Sequence, residues 1–391
     1  MPTHLPAKKR LVLLGATGSI GDNTLKVVRS LPENLQVVGI AAARNWQKLA
    51  AIAKEFQVVH VAIYEENACL AARESGLFPA GTQFYAGLDG LMAIAVLDNA
   101  DMVISAVVGT TGLRPTLAAI EAGKDIALAS KELLVLAGKF VMAAATRMGV
   151  RLLPIDSEHN AIFQCLAGGT HREVRRLLLT ASGGPFLHFK REQMATITPL
   201  EARMHPNWSM GPKVTVDSST MANKSLEMIE ARWLFGVPPQ QIQVVIHPQS
   251  IIHSMVEFVD GSILAQLCPP SMTFAIQHAL MHPHRLPGCM KSLDFSQVMK
   301  LEFLPPDESR FPLLRQGREA LEAGGVAPAV YNAANEVAVS AFLDNRIPYL
   351  SISDIVARTQ SAVHNFEPRT LEEVLNADAE ARSFATATVG T

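Results

Sequence analysis

The chain of 391 residues has little cysteine: Cys69, Cys165, Cys268 and Cys289, no two of them in a CxxC spacing. A chain this long needs no disulfide staples, so the cysteines fit a reducing compartment rather than a disulfide framework. Surplus positive charge is missing too, since Lys+Arg 34 against Asp+Glu 36 leaves a formal net charge of −2. That balance excludes a broad field for nucleic acid or an anionic membrane, so any phosphate must be bound locally. No uncharged apolar run approaches the roughly 20 residues a membrane span requires. The first ten residues are basic at one end without an apolar core, so neither a signal peptide nor a long transit peptide is expected there. Internal repeats and low-complexity tracts are also lacking. The expected class is a cytoplasmic globular protein with no nucleic-acid or membrane partner.

What is present is ample core material, with 49% hydrophobic and 18% charged residues. At roughly 100–200 residues per domain, two or three domains are expected. Between residues 10 and 154, apolar runs at 11–14, 37–42, 59–63, 102–106, 126–128 and 151–153 alternate with helical patterns. This βαβ rhythm predicts an α/β fold that begins with a Rossmann-type parallel sheet over residues 1–155. Residues 156–288 mix glycine- and proline-bearing loops with β-branched runs at 243–246, 251–256 and 262–267, the last two flanking the hairpin signal Asp260-Gly261. A central α+β catalytic domain is expected there. Pro and Gly then cluster, which assigns 289–312 as a linker. Helical periodicity at 313–323, 328–344, 351–366 and 371–386 predicts a small C-terminal helical bundle over 313–391.

The first apolar run leads straight into Gly15-Ala16-Thr17-Gly18-Ser19-Ile20-Gly21, followed by a helical pattern with Leu25, Val28 and Leu31. Glycines let backbone turn tightly and approach a pyrophosphate at a helix N-terminus, so a dinucleotide is expected here. NAD-selective sites place an acidic residue at the end of the second strand. This chain has Ala43-Arg44-Asn45 instead, and an arginine suits a 2′-phosphate, which favours NADP(H).

Pro154-Ile155-Asp156-Ser157-Glu158-His159-Asn160 places two carboxylates at the C-terminal end of a strand, where open α/β sheets bind ligands. If strand geometry persists, Asp156 and Glu158 share a face and offer hard oxygen donors for Mg²⁺ or Mn²⁺. Asp and Ser are also ordinary helix caps. The stretch from Asp217 to Glu230 reads as a polar turn leading into a helix on which Asn223, Lys224 and Glu227 share one face. Next to a phosphate Lys224 is an anchor; on a bland surface it is half of an ion pair. Ala181-Ser182-Gly183-Gly184-Pro185 reads as an anion nest or as a plain loop. Met204-His205-Pro206-Asn207-Trp208-Ser209-Met210-Gly211 reads as a lid with Trp208 excluding water, or as a tryptophan covering the core edge. His247, His253, His278, His282 and His284 lack the partners for a second metal site, although His278 and His282 are four apart.

With GATGSIG, SKELLV, PIDSEHNAIFQ, ASGGPF, HPNWSMG, VDSSTMANKSLEMIEARWLF and HPQSIIHSMV in this order, the chain resembles the 1-deoxy-D-xylulose 5-phosphate reductoisomerase family over essentially its whole length. The resemblance implies NADPH contacts at Thr17, Gly18, Ser19, Ile20, Ala43, Arg44, Asn45, Ser130, Glu132 and Gly211. It implies a metal held by Asp156, Glu158 and Glu227, with Mg²⁺ or Mn²⁺ expected and Co²⁺ admitted. Ser182, Ser218, Asn223 and Lys224 match positions that grip the substrate phosphate; Lys131, Ser157 and His205 match further substrate contacts; Trp208 matches a cover over the sugar. Glu158 and Glu227 also face the substrate, and Lys131, Glu158, His205 and Trp208 are the implied catalytic set. The implied reaction is NADPH- and metal-dependent rearrangement and reduction of 1-deoxy-D-xylulose 5-phosphate to 2-C-methyl-D-erythritol 4-phosphate, in the non-mevalonate isoprenoid pathway, by a homodimer. Three positions depart from the family pattern: Ser130 for the usual Asn, Ser225 for the usual Gly, and Ala43 where Gly is common. Two rival readings are a metal-independent NADP-linked dehydrogenase of the semialdehyde type and a catalytically dead NADPH-binding protein.

Overall fold

The computed structural model describes residues 8–204, 207–208 and 210–390. The chain forms two compact units: one of residues up to Leu133 with Val141–Asn160 and Ser271–Lys291, the other of Leu134–Phe140, Ala161–Pro270 and the residues from Ser292 onward.

The first unit is built on seven strands: β1 (Lys9–Leu14), β2 (Leu35–Ala42), β3 (His60–Ile63), β4 (Gln83–Ala86), β5 (Met102–Ser105), β6 (Asp125–Leu128) and β7 (Leu152–Pro154). All pair in parallel, in the order β4-β3-β2-β1-β5-β6-β7. Helices cover both faces, so Leu11, Val12, Leu13 and Leu14 are all fully buried, which is why the strand reads as an unbroken apolar run. The strand order reverses between β1 and β5, and ligands of such sheets bind in the crevice beyond the strand ends at that point. The helix Met272–Met281, distant in sequence, belongs here as well. Thr273 bonds Asn23 on the helix Ser19–Ser30 at 2.9 Å, and the Ala275 carbonyl accepts from Asn160 at 3.2 Å.

The second unit holds β8 (Val174–Ala181), β9 (Ile242–Ile246), β10 (Ile252–Phe258) and β11 (Ile263–Leu267) in the order β11-β10-β8-β9. β8 and β9 are parallel; β10 is antiparallel to both β8 and β11. The Asp260 carboxylate accepts the Ser262 amide at 2.9 Å and closes the expected hairpin. Four helices follow, Pro312–Ala323, Ala327–Leu343, Ser351–Ala362 and Leu371–Val389. They share one core with the sheet: Tyr331, Phe342 and Tyr349 pack in the same cluster as Leu177, Leu179, Phe186 and Ile229. His247 is fully buried. Its Nε2 accepts the amides of Ile251 and Ile252 at 3.2 and 3.1 Å, and its Nδ1 meets the Glu302 carbonyl at 2.9 Å. It is a structural staple that ties residue 302 to the turn before β10.

His253 and His278 carry a pH prediction. Burial is the main cause that pushes each imidazole down to about 4, against about 6.5 for an exposed histidine. The unfolded chain therefore binds protons that the folded one refuses, so stability is whole above pH 6.5 and drains away as pH falls through 4. For His253, 3% exposed, the loss between pH 7 and 5 is on the order of 2 kcal/mol. Urea unfolding at the two pH values should show a smaller acid loss in His253→Gln than in the native chain; equal losses would contradict the assignment.

Candidate active site

In the first unit the glycine loop follows β1 directly. Gly15 has φ +96°, and a Cβ there would lie 2.3 Å from the Ala106 carbonyl oxygen. A Cβ on Gly21 would lie 2.3 Å from the Ala16 carbonyl oxygen, so the helix Ser19–Ser30 packs against the strand end only because this residue is glycine. Gly18, the N-cap, is exposed, and a Cβ there would meet only the Gly15 carbonyl oxygen, at an ordinary contact distance of 3.5 Å. The three glycines thus serve a tight turn, an exposed approach and close packing, the division of labour of a dinucleotide loop. Thr17, Ser19 and Ile20 are exposed or half-buried around this helix N-terminus, where unpaired amides and the helix dipole favour a phosphate.

Ala43, Arg44 and Asn45 are exposed beyond β2. The Asn45 side chain accepts the Lys48 amide at 3.1 Å and so caps the helix Trp46–Phe56. Lys48 also reaches the Thr17 carbonyl at 3.0 Å and Asp22 at 2.8 Å, tying the second βα turn to the first. Arg44→Asp should weaken NADPH binding by a factor of about 10 or more, as expected for one lost charge-assisted contact, while leaving NADH binding nearly unchanged. Equal weakening of both, measured by nucleotide fluorescence, would remove Arg44 from the 2′-phosphate.

Ser130 is 6% exposed, and its hydroxyl donates to the Val107 carbonyl at 2.5 Å. Thr116 bonds the Gly112 carbonyl at 2.7 Å and Ser105 Oγ at 2.8 Å. These hydroxyls hold both ends of the segment 107–112, next to Gly15. In the sequence Ala106 ends the apolar run 102–106, but nothing there sets it or Val107 beside Gly15; the available signal is the glycine loop itself, whose first glycine must face another strand end. Glu132 is buried at the start of the helix Glu132–Met148.

Asp156 lies between β7 and the helix Ser157–Cys165. Strand geometry does not persist through Glu158, which corrects the expectation of a shared strand face: the helix begins at Ser157. Lys131 forms an ion pair with Asp156 in which both side chains are 11% exposed. The Ser157 hydroxyl donates to Glu158. Lys131, Asp156, Ser157 and Glu158 therefore gather at the C-terminal end of the parallel sheet.

In the second unit, Ser182 follows β8, and Gly183 and Gly184 both have positive φ, 83° and 68°. A Cβ on Gly184 would lie 2.7 Å from the Ser218 carbonyl oxygen, so this loop lies directly against Ser218. Residues 217–220 are not the expected turn; they end the helix Pro212–Thr220, and the break is the single left-handed residue Met221 at φ 66°. Gly211, exposed, caps that helix. The next helix, Ala222–Phe235, carries the expected face. Asn223 Nδ2 donates to Glu227 Oε1 at 2.6 Å and Lys224 Nζ to Glu227 Oε2. Lys224 and Glu227 are 4% and 1% exposed, which sets them apart from a solvated surface pair. A lysine, an asparagine amide, two hydroxyls and a glycine-rich turn at a helix N-terminus make an anion cradle.

His205 lies outside the described residues. Asn207 anchors its loop, donating to the Pro248 carbonyl at 2.7 Å and to Ser250 Oγ at 3.0 Å. Trp208 is half-buried, edge-on to His253 with ring centroids 6.0 Å apart.

A family model described as 1-deoxy-D-xylulose 5-phosphate reductoisomerase matches residues 11–138, and models of the C-terminal domains of that reductoisomerase match 152–235 and 267–384. The enzyme of that name from Chlorobium chlorochromatii (strain CaD3) is 48% identical over 96% of this chain and 98% of the relative. That from Cellvibrio japonicus (strain Ueda107) is 48% identical over 96% and 97%. Among solved structures, the Zymomonas mobilis reductoisomerase in complex with NADPH superposes with a TM-score of 0.92 at 43% identity, covering 98% of this chain and 100% of that one. A DOX-P reductoisomerase in complex with NADPH, fosmidomycin and magnesium gives 0.90 at 42% identity, covering 98% of each. On the combined weight of the glycine loop, the buried Lys224–Glu227 face and these whole-length matches, the chain belongs to the 1-deoxy-D-xylulose 5-phosphate reductoisomerase family.

Proposed function

We propose that this chain catalyses the NADPH- and divalent-metal-dependent rearrangement and reduction of 1-deoxy-D-xylulose 5-phosphate to 2-C-methyl-D-erythritol 4-phosphate in the non-mevalonate pathway. The observation that carries this reading is the buried face of Asn223, Lys224 and Glu227 beside Ser218 and the Ser182 loop: a phosphate cradle and a carboxylate on one helix turn.

The donor set fits a hard ion. Asp156 and Glu158 in the first unit are half-buried, Glu227 in the second is buried, and all three bring oxygen alone, the preference of Mg²⁺ or Mn²⁺. These residues would hold the ion, and lysines 131 and 224 already balance two of the carboxylates. When bound, the ion supplies a Lewis acid at the ketose oxygens, and NADPH supplies a hydride. The NADPH contacts are assigned to Thr17, Gly18, Ser19, Ile20, Ala43, Arg44, Asn45, Ser130, Glu132 and Gly211.

Ser182, Ser218, Asn223 and Lys224 bind the phosphate, which does no chemistry itself, and spend that binding energy on orienting the reacting carbons. Ser157, His205 and Lys131 orient the sugar hydroxyls, while Trp208 excludes water. The Ser157–Glu158 hydrogen bond holds a proton at Ser157 Oγ, and Lys131 Nζ, paired with Asp156, is another proton carrier in the first unit. Among the described residues no helix is long and apolar enough to cross a membrane. We place the enzyme in the cytoplasm as a homodimer, with the edge strand β11, where Ile263 and Leu264 are exposed, as the interface.

Carbon NMR of the product tests the reaction. A branched methylerythritol phosphate supports the reading; an unbranched reduced sugar phosphate, or turnover that survives EDTA, would favour a semialdehyde-type dehydrogenase. Tight NADPH binding without any turnover would favour a dead protein.

A further inference from the structure

The helix Pro212–Thr220 turns a polar face inward: Asp217 is 1% exposed, Ser219 0% and Thr220 6%. Buried polar groups cost free energy unless they find partners, and here two partners come from more than 100 residues away. Asn335 Nδ2 donates to Asp217 Oδ1 at 2.8 Å, and Lys213 Nζ meets Oδ2 at 2.8 Å. The Tyr349 hydroxyl donates to the Ser219 carbonyl at 2.7 Å, with Ser219 Oγ at 3.2 Å. Burial pushes the Tyr349 phenol well above its ordinary pKa, so it keeps its proton. Its ring is fixed edge-on to Phe186 and Phe342, with centroids 5.5 and 5.6 Å away. Asn335 is fully buried on the helix Ala327–Leu343.

Asp217 and Ser219 bracket Ser218, and the chain then turns at Met221 into Asn223 and Lys224. We propose that Tyr349 and Asn335 are positioning residues for the substrate phosphate. From behind the helix they fix the backbone of residues 217–219, so that Ser218 keeps its register with Asn223 and Lys224. This rests on the reading of Ser182, Ser218, Asn223 and Lys224 as the phosphate site. Neither residue touches substrate; both act through Ser218. Phe and Leu would fill the same space, so the polar pair matters for direction rather than for volume.

Tyr349→Phe removes only the hydroxyl and keeps the ring contacts. Two quantities are measured in the magnesium-loaded enzyme: kcat/KM for the xylulose phosphate, and the inhibition constant of inorganic phosphate competing with it. Both should worsen about fivefold, the effect of one lost hydrogen bond, with NADPH affinity unchanged. Asn335→Ala, the second variant, should move both in the same direction. Lys224→Ala tests the underlying site. If Lys224→Ala relieves phosphate inhibition while Tyr349→Phe and Asn335→Ala lower only Tm, the positioning role is overturned and the site stands. If Lys224→Ala leaves phosphate inhibition intact, or phosphate does not inhibit the native enzyme, the phosphate site itself fails and the proposal falls with it.

Discussion

Glu227→Gln should lower kcat/KM by about 1,000-fold or more, the equivalent of roughly 4 kcal/mol of lost charge stabilisation at a metal site. Glutamine keeps the shape and loses the charge. Glu227 is 1% exposed, with one oxygen bonded to Asn223 and the other to Lys224. If Glu227 holds the ion, removing its charge takes an anionic donor away, and in any case it leaves Lys224, 4% exposed, without the Glu227 counter-charge. Breaking a buried pair on one side costs about 3–5 kcal/mol, less here because the amide oxygen still accepts a hydrogen bond. The variant should therefore melt earlier as well. NADPH binding should survive, since all but one of its assigned contacts lie in the first unit. A variant that binds NADPH normally and turns over within tenfold of the native enzyme at saturating magnesium would take Glu227 out of the metal site.

Gly317→Ala should destabilise the fold by about 2 kcal/mol, the net of overpacking and a small gain in helix propensity. A Cβ at 317 would lie 2.2 Å from Ser225 Cβ and 2.4 Å from its hydroxyl, closer than carbon atoms tolerate. Ser225 is fully buried and donates to the Leu313 carbonyl at 3.0 Å, a carbonyl that Tyr331 also approaches at 3.1 Å. The helix would have to shift, and it carries Lys224 and Glu227 on either side of Ser225. Activity should fall with stability. The family pattern has glycine where this chain has Ser225, so the two helices meet at one small residue on one side only. Ser225→Gly combined with Gly317→Ala should therefore recover most of the lost stability in a double-mutant cycle. Strict additivity of the two losses, read from urea unfolding, would show that the contact does not govern the packing.

The same local logic separates what the sequence revealed from what it hid. β1, β2 and β5 were legible because a parallel strand buried on both faces is a continuous apolar run. β4, Gln83-Phe84-Tyr85-Ala86, is a half-exposed edge strand with no such run, and it was missed. The hairpin at Asp260-Gly261 and the four C-terminal helices were legible from turn chemistry and periodicity. The return of the helix Met272–Met281 to the first unit was not, because it rests on contacts such as Thr273 with Asn23, 250 residues apart. The helix Pro212–Thr220 was hidden for a related reason. Asp217, Ser218, Ser219 and Thr220 favour caps and turns when read locally, and the groups that satisfy Asp217 and Ser219, Asn335 and Tyr349, lie far along the chain.

The site divides the same way. The face of Asn223, Lys224 and Glu227 follows from helical spacing alone. The place of Asp156 at a strand's C-terminal end is legible in the sequence, but the relation of Glu158 to it depends on where the helix starts, a boundary that Asp and Ser leave ambiguous. Ser130 is legible as a departure from the family pattern. Its attachment to the Val107 carbonyl is a tertiary fact with no local signature.

One protein couples a metal-dependent rearrangement to NADPH oxidation on a phosphorylated ketose. Following NADPH absorbance with 1-deoxy-D-xylulose 5-phosphate, with and without Mg²⁺ or Mn²⁺, tests it most directly. Substrate-dependent NADPH loss should stop when EDTA removes the ion and resume when the ion is restored. Oxidation that continues undiminished in EDTA, or none with the ion present, would contradict it.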